Sequence, residues 1–123
     1  MMQSSYLIIH SPDKIPFLGI CLGLQCAVID FARHECNMTN ANSTEFKPRV
    51  KYPVIDLMHK QKKIIDKGAT MRLGSYPCRV FKKTKAMKAY KRITVYERHR
   101  HRYEVNNKFI NQLTKKGLVV SGK

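Results

Sequence analysis

The sequence predicts an α/β domain, on three observations. An uncharged apolar run containing Ile15, Phe17, Leu18 and Ile20 leads directly into Cys21, which has Gly19 two positions before it and Gly23 two positions after. The segment that follows, Leu22 to His34, has the length and composition of a helix, and short β-rich segments then recur between breaker residues. The 123 residues suffice for one domain with one core, and a hydrophobic content of 43% indicates a globular chain rather than a disordered one.

Taken in order, the run ending at Ile20 reads as a strand buried on both faces, since it carries no charge and no alternation. Leu22–His34 reads as the helix that follows it. Strands are expected around Val50 to Leu57, Arg79 to Phe81 and Val95 to Val105. A helix is expected from about Lys108 to Lys116, closed by Gly117, and Leu118 to Val120 reads as the start of another strand.

The junction at Cys21 has the pattern of a nucleophile elbow, GxSxG with Cys in place of Ser. A sharp strand-to-helix turn strains its apex residue and calls for small neighbours on both sides, which Gly19 and Gly23 supply. At a helix N-terminus the sulfur meets unpaired N–H groups and the positive end of the dipole, which favour a thiolate. The N–H of Leu22 would then face a developing oxyanion. On spacing alone, Cys21 reads equally well as a small buried apolar side chain.

Resemblance separates the two readings. IPFLGICLGLQ, followed in order by IDFARH, NANSTEF, KYPVIDLM, TMRLGSYPC and ERHRHRYEVNN, resembles the glutaminase half of the CTP synthases, which are class I glutamine amidotransferases. The likeness covers residues 15–123, with residues 1–14 as a leader that does not match. It implies a partial amidotransferase domain of flavodoxin-like α/β fold, an interior slice of an enzyme that joins a glutaminase domain to an ATP-using synthetase domain.

By the same resemblance, Cys21 is the nucleophile, and Leu22, Gly23, Leu24 and Gln25 belong to the segment that wraps the glutamine. Glu45 matches a residue holding the α-amino end, and Arg102, with Tyr103 beside it, matches the position that meets the α-carboxylate. The chemistry agrees, because a zwitterionic amino acid calls for one carboxylate and one guanidinium, and Arg suits a planar carboxylate. Structural alternatives are that Glu45 caps a helix after Ser43 and Thr44, and that Arg102 forms a surface ion pair.

The family's reaction would be ammonia release from glutamine through a thioester on Cys21, with the ammonia aminating UTP to CTP elsewhere. The resemblance implies L-glutamine as substrate, no cofactor in this portion, ATP and Mg in the synthetase domain, GTP as activator, and a homo-oligomer. Departures accompany it. Leu24 stands where Met is usual, Ala69 where the second Gly of GGTMRLG is expected, and Lys47 where an acid is common. The leader lacks the GGFG-like turn that supplies the second oxyanion donor, and the HPE motif that supplies the catalytic His and Glu does not occur. His10, His34, His59, His99 and His101 do not match the family's base. The isolated chain is therefore expected to be inactive, being either a remnant or one piece of a split enzyme completed by the synthetase and HPE-containing segments.

Charge is the other uneven feature. Residues 1–46 hold two basic and four acidic side chains and residues 47–123 hold twenty-two and four, so the net charge of +16 arises in the later part. Lys60, Lys62, Lys63, Lys82, Lys83, Lys85, Lys88, Lys91 and Arg92, interleaved with Tyr76, Phe81 and Tyr90, read either as a lysine-rich solvated surface or as a non-specific polyanion or single-strand-binding surface. In ERHRHRYE, a strand would turn Arg98, Arg100 and Arg102 to one face and His99, His101 and Tyr103 to the other. His99 and His101 read as a metal pair only if further ligands join them, and no Cys or carboxylate is spaced to do so. Cys21, Cys26, Cys36 and Cys78 form no CxxC pair and suggest a reducing, cytoplasmic setting. No apolar run is long enough to span a membrane.

Overall fold

The computed structural model describes residues 15–57 and 72–123, so Ala69, His10, His59, Lys60, Lys62 and Lys63 lie outside the described residues. The elements are α1 (Leu22–His34), β1 (Asn42–Ser43), β2 (Pro53–Leu57), β3 (Arg72–Arg79), α2 (Lys85–Tyr90), β4 (Thr94–His101), β5 (Tyr103–Val105), a 3₁₀ turn (Asn107–Phe109) and α3 (Ile110–Lys115). They form two sheets. β1 pairs parallel with β2 and β2 antiparallel with β5, while β3 and β4 make a separate antiparallel ribbon.

α1 runs over the residues that its composition predicts, and its buried side chains include Leu24, Ala27, Val28, Phe31 and Ala32. With no acidic residue in its first turn and Arg33 and His34 in its last, charge is placed to suit the C-terminal end of the dipole. The buried stripe packs with Val54 and Ile55 of β2, Val105 of β5 and Leu113 of α3 in one apolar cluster. Arg33 Nε donates to the carbonyl of Ala41 at 2.7 Å, tying the end of α1 to the start of β1. Asn106 donates from its side chain to the Pro53 carbonyl at 2.9 Å and from its backbone to the Val54 carbonyl at 2.8 Å. Gly117, with φ at 106°, ends α3 as predicted, and Leu118 N–H donates back to the Leu113 carbonyl.

Four expectations need correction. Residues 15–20 form no strand: among the described residues no strand pairs with them, and Ile15, Leu18 and Ile20 are each more than half exposed. An apolar run becomes a buried strand only where other strands flank it. The strand expected over Arg79 to Phe81 instead ends at Arg79, having started at Arg72. Gly74 at φ 104° and Pro77 disguised it, both being rare in strand interiors, although Pro is tolerated where its missing N–H faces away from a partner.

The strand expected over Val95 to Val105 breaks at Arg102, so that β4 joins the ribbon and β5 joins the other sheet. Leu118 to Val120 form no strand, and the pairing nearby is a single bridge between Val80 and Gly122. Two elements carried too little signal to be foreseen. β1 has two residues, and α2 has six, started by Thr84, whose hydroxyl accepts from Met87 N–H at 3.1 Å.

Candidate functional site

Cys21 sits at the N-cap of α1 with φ 54° and ψ −114°, a left-handed backbone that costs a non-glycine residue on the order of 1–3 kcal/mol. The turn is closed by Gly23 N–H donating to the Ile20 carbonyl at 3.0 Å. Gly19 is sterically required, since a Cβ there would lie 2.7 Å from the Leu24 nitrogen and 2.8 Å from the Gly23 carbonyl carbon. Gly23 is not equally constrained, because a Cβ there meets nothing within 4 Å. The need for small residues is thus one-sided among the described residues. Cys21 itself is exposed, which removes the reading of it as a buried apolar side chain. Leu22 N–H, the first of the helix, has no hydrogen-bond partner among the described residues, as an oxyanion donor requires.

β5 and the break before it bring the distant half of the site to the elbow. Gln25 is buried and donates from Nε2 to the Tyr103 carbonyl at 3.0 Å, fastening α1 to β5. A cavity of about 260 Å³ is lined by Cys21, Leu22, Gln25, Glu45, Arg102 and Tyr103, together with Phe46, Arg100 and His101. Six of the eight residues singled out in the sequence therefore share one cavity. Leu24 is buried and contributes to a second cavity of about 350 Å³, which also includes Cys21, Gln25, His99 and His101. Gly23 lines neither.

The smaller cavity is lined by opposite charges, Glu45 and Arg102, together with Cys21. Burial pushes the Tyr103 phenol above its usual 10.0, the Glu45 carboxylate adds to the rise, and the Arg102 guanidinium opposes it. Arg102 Nε is buried and has no hydrogen-bond partner among the described residues, so Arg102 is not consumed by a surface ion pair. Glu45 starts no helix: residues 44–46 form a turn, in which Glu45 N–H donates to the Ser43 hydroxyl at 3.2 Å. Thr44 Oγ1 donates to Asp56 Oδ1 at 2.8 Å and fixes that turn against β2.

Arg100, His101 and Phe46 were not singled out as lining this cavity. The signal for His101 was present in the alternation that put it on the face of Tyr103, whereas Arg100 required the break at Arg102 to be known. His99 Nδ1 and His101 Nε2 are hydrogen-bonded at 2.9 Å, and Tyr76 stands edge-on to His99. Among the described residues no group of three or more His, Cys, Asp or Glu is placed to hold a metal ion. His34 lies at the far end of α1, paired with Asp30 at 3.0 Å.

The family model for "Glutamine amidotransferase class-I" matches residues 4–123. The chain belongs to the class I glutamine amidotransferase family. Its similarity within the family is to CTP synthases: 62% identity over 110 residues to that of Caldanaerobacter subterraneus subsp. tengcongensis, covering 89% of this chain and 20% of the relative. The CTP synthase of Chlorobium phaeobacteroides is 52% identical over 118 residues, covering 96% of this chain and 21% of its own length.

Among solved structures, the glutaminase domain of Trypanosoma brucei CTPS with bound acivicin superposes with a TM-score of 0.76 at 38% identity, over 82% of this chain and 38% of that one. The fold is that of a class I amidotransferase. The chain spans about a fifth of the length of the curated CTP synthases it matches. No helix among the described residues is long and apolar enough to cross a membrane.

Proposed function

We propose that this chain supplies the nucleophile and part of the glutamine pocket of a CTP synthase. The observation that carries the reading is the single cavity holding Cys21, Glu45, Arg102 and Tyr103. The Cys21 sulfur attacks the side-chain amide carbon of L-glutamine, and the Leu22 N–H receives the charge that develops on oxygen. The C–N bond breaks, ammonia leaves with the proton it needs, and water cleaves the thioester to release glutamate. Glu45 pairs with the α-ammonium and Arg102 with the α-carboxylate, where the unsatisfied Nε–H is worth most. Gln25, buried and bonded to β5, holds the two halves in register.

The 123 residues contain no HPE sequence, and none of the five histidines stands in the family's base position. On its own the polypeptide is inactive or nearly so, since loss of a general base alone removes about 10²–10⁴ in rate. ATP with magnesium, and the use of ammonia to aminate UTP, belong to a synthetase part outside these residues, with GTP as activator. The homo-oligomer, the cytoplasmic setting and completion by an HPE-containing segment are parts of the same proposal.

The test is glutamate release from L-glutamine by this chain alone and after mixing with the synthetase and HPE-containing segments, with alkylation of Cys21 by iodoacetamide followed in parallel. Release that needs both the added segments and Cys21 is expected, as is slower alkylation of Cys21 when glutamine is present. Arg102→Ala should weaken that protection roughly tenfold or more, the size of a charged hydrogen bond. Release that persists in Cys21→Ser, or a Cys21 that glutamine does not protect even in the mixture, overturns the reading.

A further inference from the structure

The glutamine cavity takes Arg100 from the outer face of the β3–β4 ribbon and leaves the rest of that face without a role. Strand alternation turns Thr94, Tyr96 and Arg98 outward on β4, and all three are exposed. Their cross-strand partners Arg79, Pro77 and Ser75 are exposed on the same side. Tyr96 is 72% exposed, an unusual position for an aromatic ring, and it makes no contact with a neighbouring ring among the described residues. Arg98 lies two residues along the same strand and Arg79 on the cross-strand diagonal, each roughly 7–8 Å away between backbone positions.

The connection between the strands leaves the ribbon at the Arg79–Thr94 pair, two residues along β4 from Tyr96, and carries six exposed cations, at Lys82, Lys83, Lys85, Lys88, Lys91 and Arg92. Glu97 is the only acid between residues 72 and 103, and it lies on the opposite face, accepting a hydrogen bond from Tyr90.

We propose that this ribbon face binds single-stranded nucleic acid, with Tyr96 stacking on a base and Arg79, Arg98 and the cations of the connection neutralising the phosphates on either side. Positive charge alone would serve a duplex or any other polyanion equally. The outward aromatic ring makes the difference, because a base must be unpaired to lie flat on it. A two-stranded ribbon with an exposed ring between arginines reproduces, at small scale, the sheet platforms on which single strands stack. The proposal concerns a face opposite His99, and Tyr96 and Arg79 line neither of the cavities that include Cys21, so it stands independently of the glutamine reading although Arg98 borders the larger one.

The full chain is titrated into fluorescein-labelled oligo(dT), and into a duplex of the same length, at several salt concentrations, with anisotropy as readout. Tighter binding to oligo(dT) than to the duplex is expected, falling with salt at a slope of about −0.7 for each phosphate neutralised. Tyr96→Ala should weaken oligo(dT) binding at least about fivefold and leave duplex binding unchanged, while Tyr96→Phe should retain most of the affinity. Arg79→Gln should lower both affinities and the salt slope together. Because Tyr96 is exposed, circular dichroism of the variants is expected to match that of the parent. Equal affinity for the two nucleic acids, an unaffected Tyr96→Ala, or capture by phosphatidylserine vesicles without binding of oligo(dT) overturns the proposal.

Discussion

The two sheets of this protein are built on different terms. Around β1, β2 and β5 every layer is covered: Val28, Val54, Ile55 and Leu113 are fully buried, and the main apolar cluster draws on α1, β2, β5 and α3. The β3–β4 ribbon contributes no member to that cluster among the described residues, and from Gly74 to His101 the buried side chains are Cys78 and His99 in the strands and Val80 and Ala86 in the connection. The ribbon is held by its own ladder of eight paired positions, from Arg72 with His101 to Arg79 with Thr94, and by the bridge from Val80 to Gly122. Hydrophobic burial therefore fixes the elbow and the β5 end of the Cys21 cavity, while backbone pairing supports an outer face free to carry charge. The cavity lies where the two meet, since Arg102 is the residue at which one run of chain passes from ribbon to core.

The contrast can be broken most strongly at Leu113. Leu113→Ala removes a fully buried side chain from the main cluster and should cost about 2–5 kcal/mol in urea unfolding. A loss below about 1 kcal/mol would mean that the cluster is not what holds the fold.

The elbow gives the next largest effect and a sharper one. Gly19→Ala forces a Cβ against the backbone of Gly23 and Leu24 and should destabilise by about 1–3 kcal/mol. Gly23→Ala meets open space in the first turn of a helix and should leave stability unchanged or raise it by up to about 1 kcal/mol. Equal losses for the two would show that both glycines are confined.

Within the ribbon, Thr84→Ala removes the hydroxyl that caps α2 and should cost about 0.5–2 kcal/mol. Hydrogen exchange should place that loss in residues 80–93 and leave protection of α1 as it was. Loss of protection in α1 as well would join the two regions into a single cooperative unit.

The smallest effect is alkaline. Burial, with the Glu97 carboxylate adding to it, raises the Cys78 thiol above its ordinary 9.0, and burial likewise raises Cys36 and the Tyr103 phenol. Each folded group holds its proton more tightly than the unfolded chain does, so the stability it contributes is complete below the unfolded value and lost as pH rises through the folded one. Urea midpoints should thus fall on going from pH 7 to above 9, and Cys78→Ala should flatten part of that fall. A midpoint that rises over the same range would contradict the direction of all three shifts.

Much of the site was legible because its chemistry is local. The GICLG pattern carries its own turn, its own helix start and its own strain, and α1 occupies the residues that its composition indicated. Glu45, Arg102 and Tyr103 were reachable only through resemblance, because nothing in their spacing brings positions more than fifty residues apart into one cavity. The apolar run before the elbow misled for a related reason: its composition states a preference for burial, and burial needs neighbours that the run does not contain.

By itself the sequence determined the α/β class, the turn pattern of the elbow at Cys21, the helix that follows and the concentration of positive charge after residue 46. These depend on interactions within a few residues or on composition. The tertiary structure alone decided that the chain breaks at Arg102, that Gln25 binds β5 rather than solvent, and that an exposed Tyr96 shares a ribbon face with Arg79 and Arg98. Register and sheet partnership are settled by pairing between distant segments, and no local pattern encodes which strand a given strand will meet.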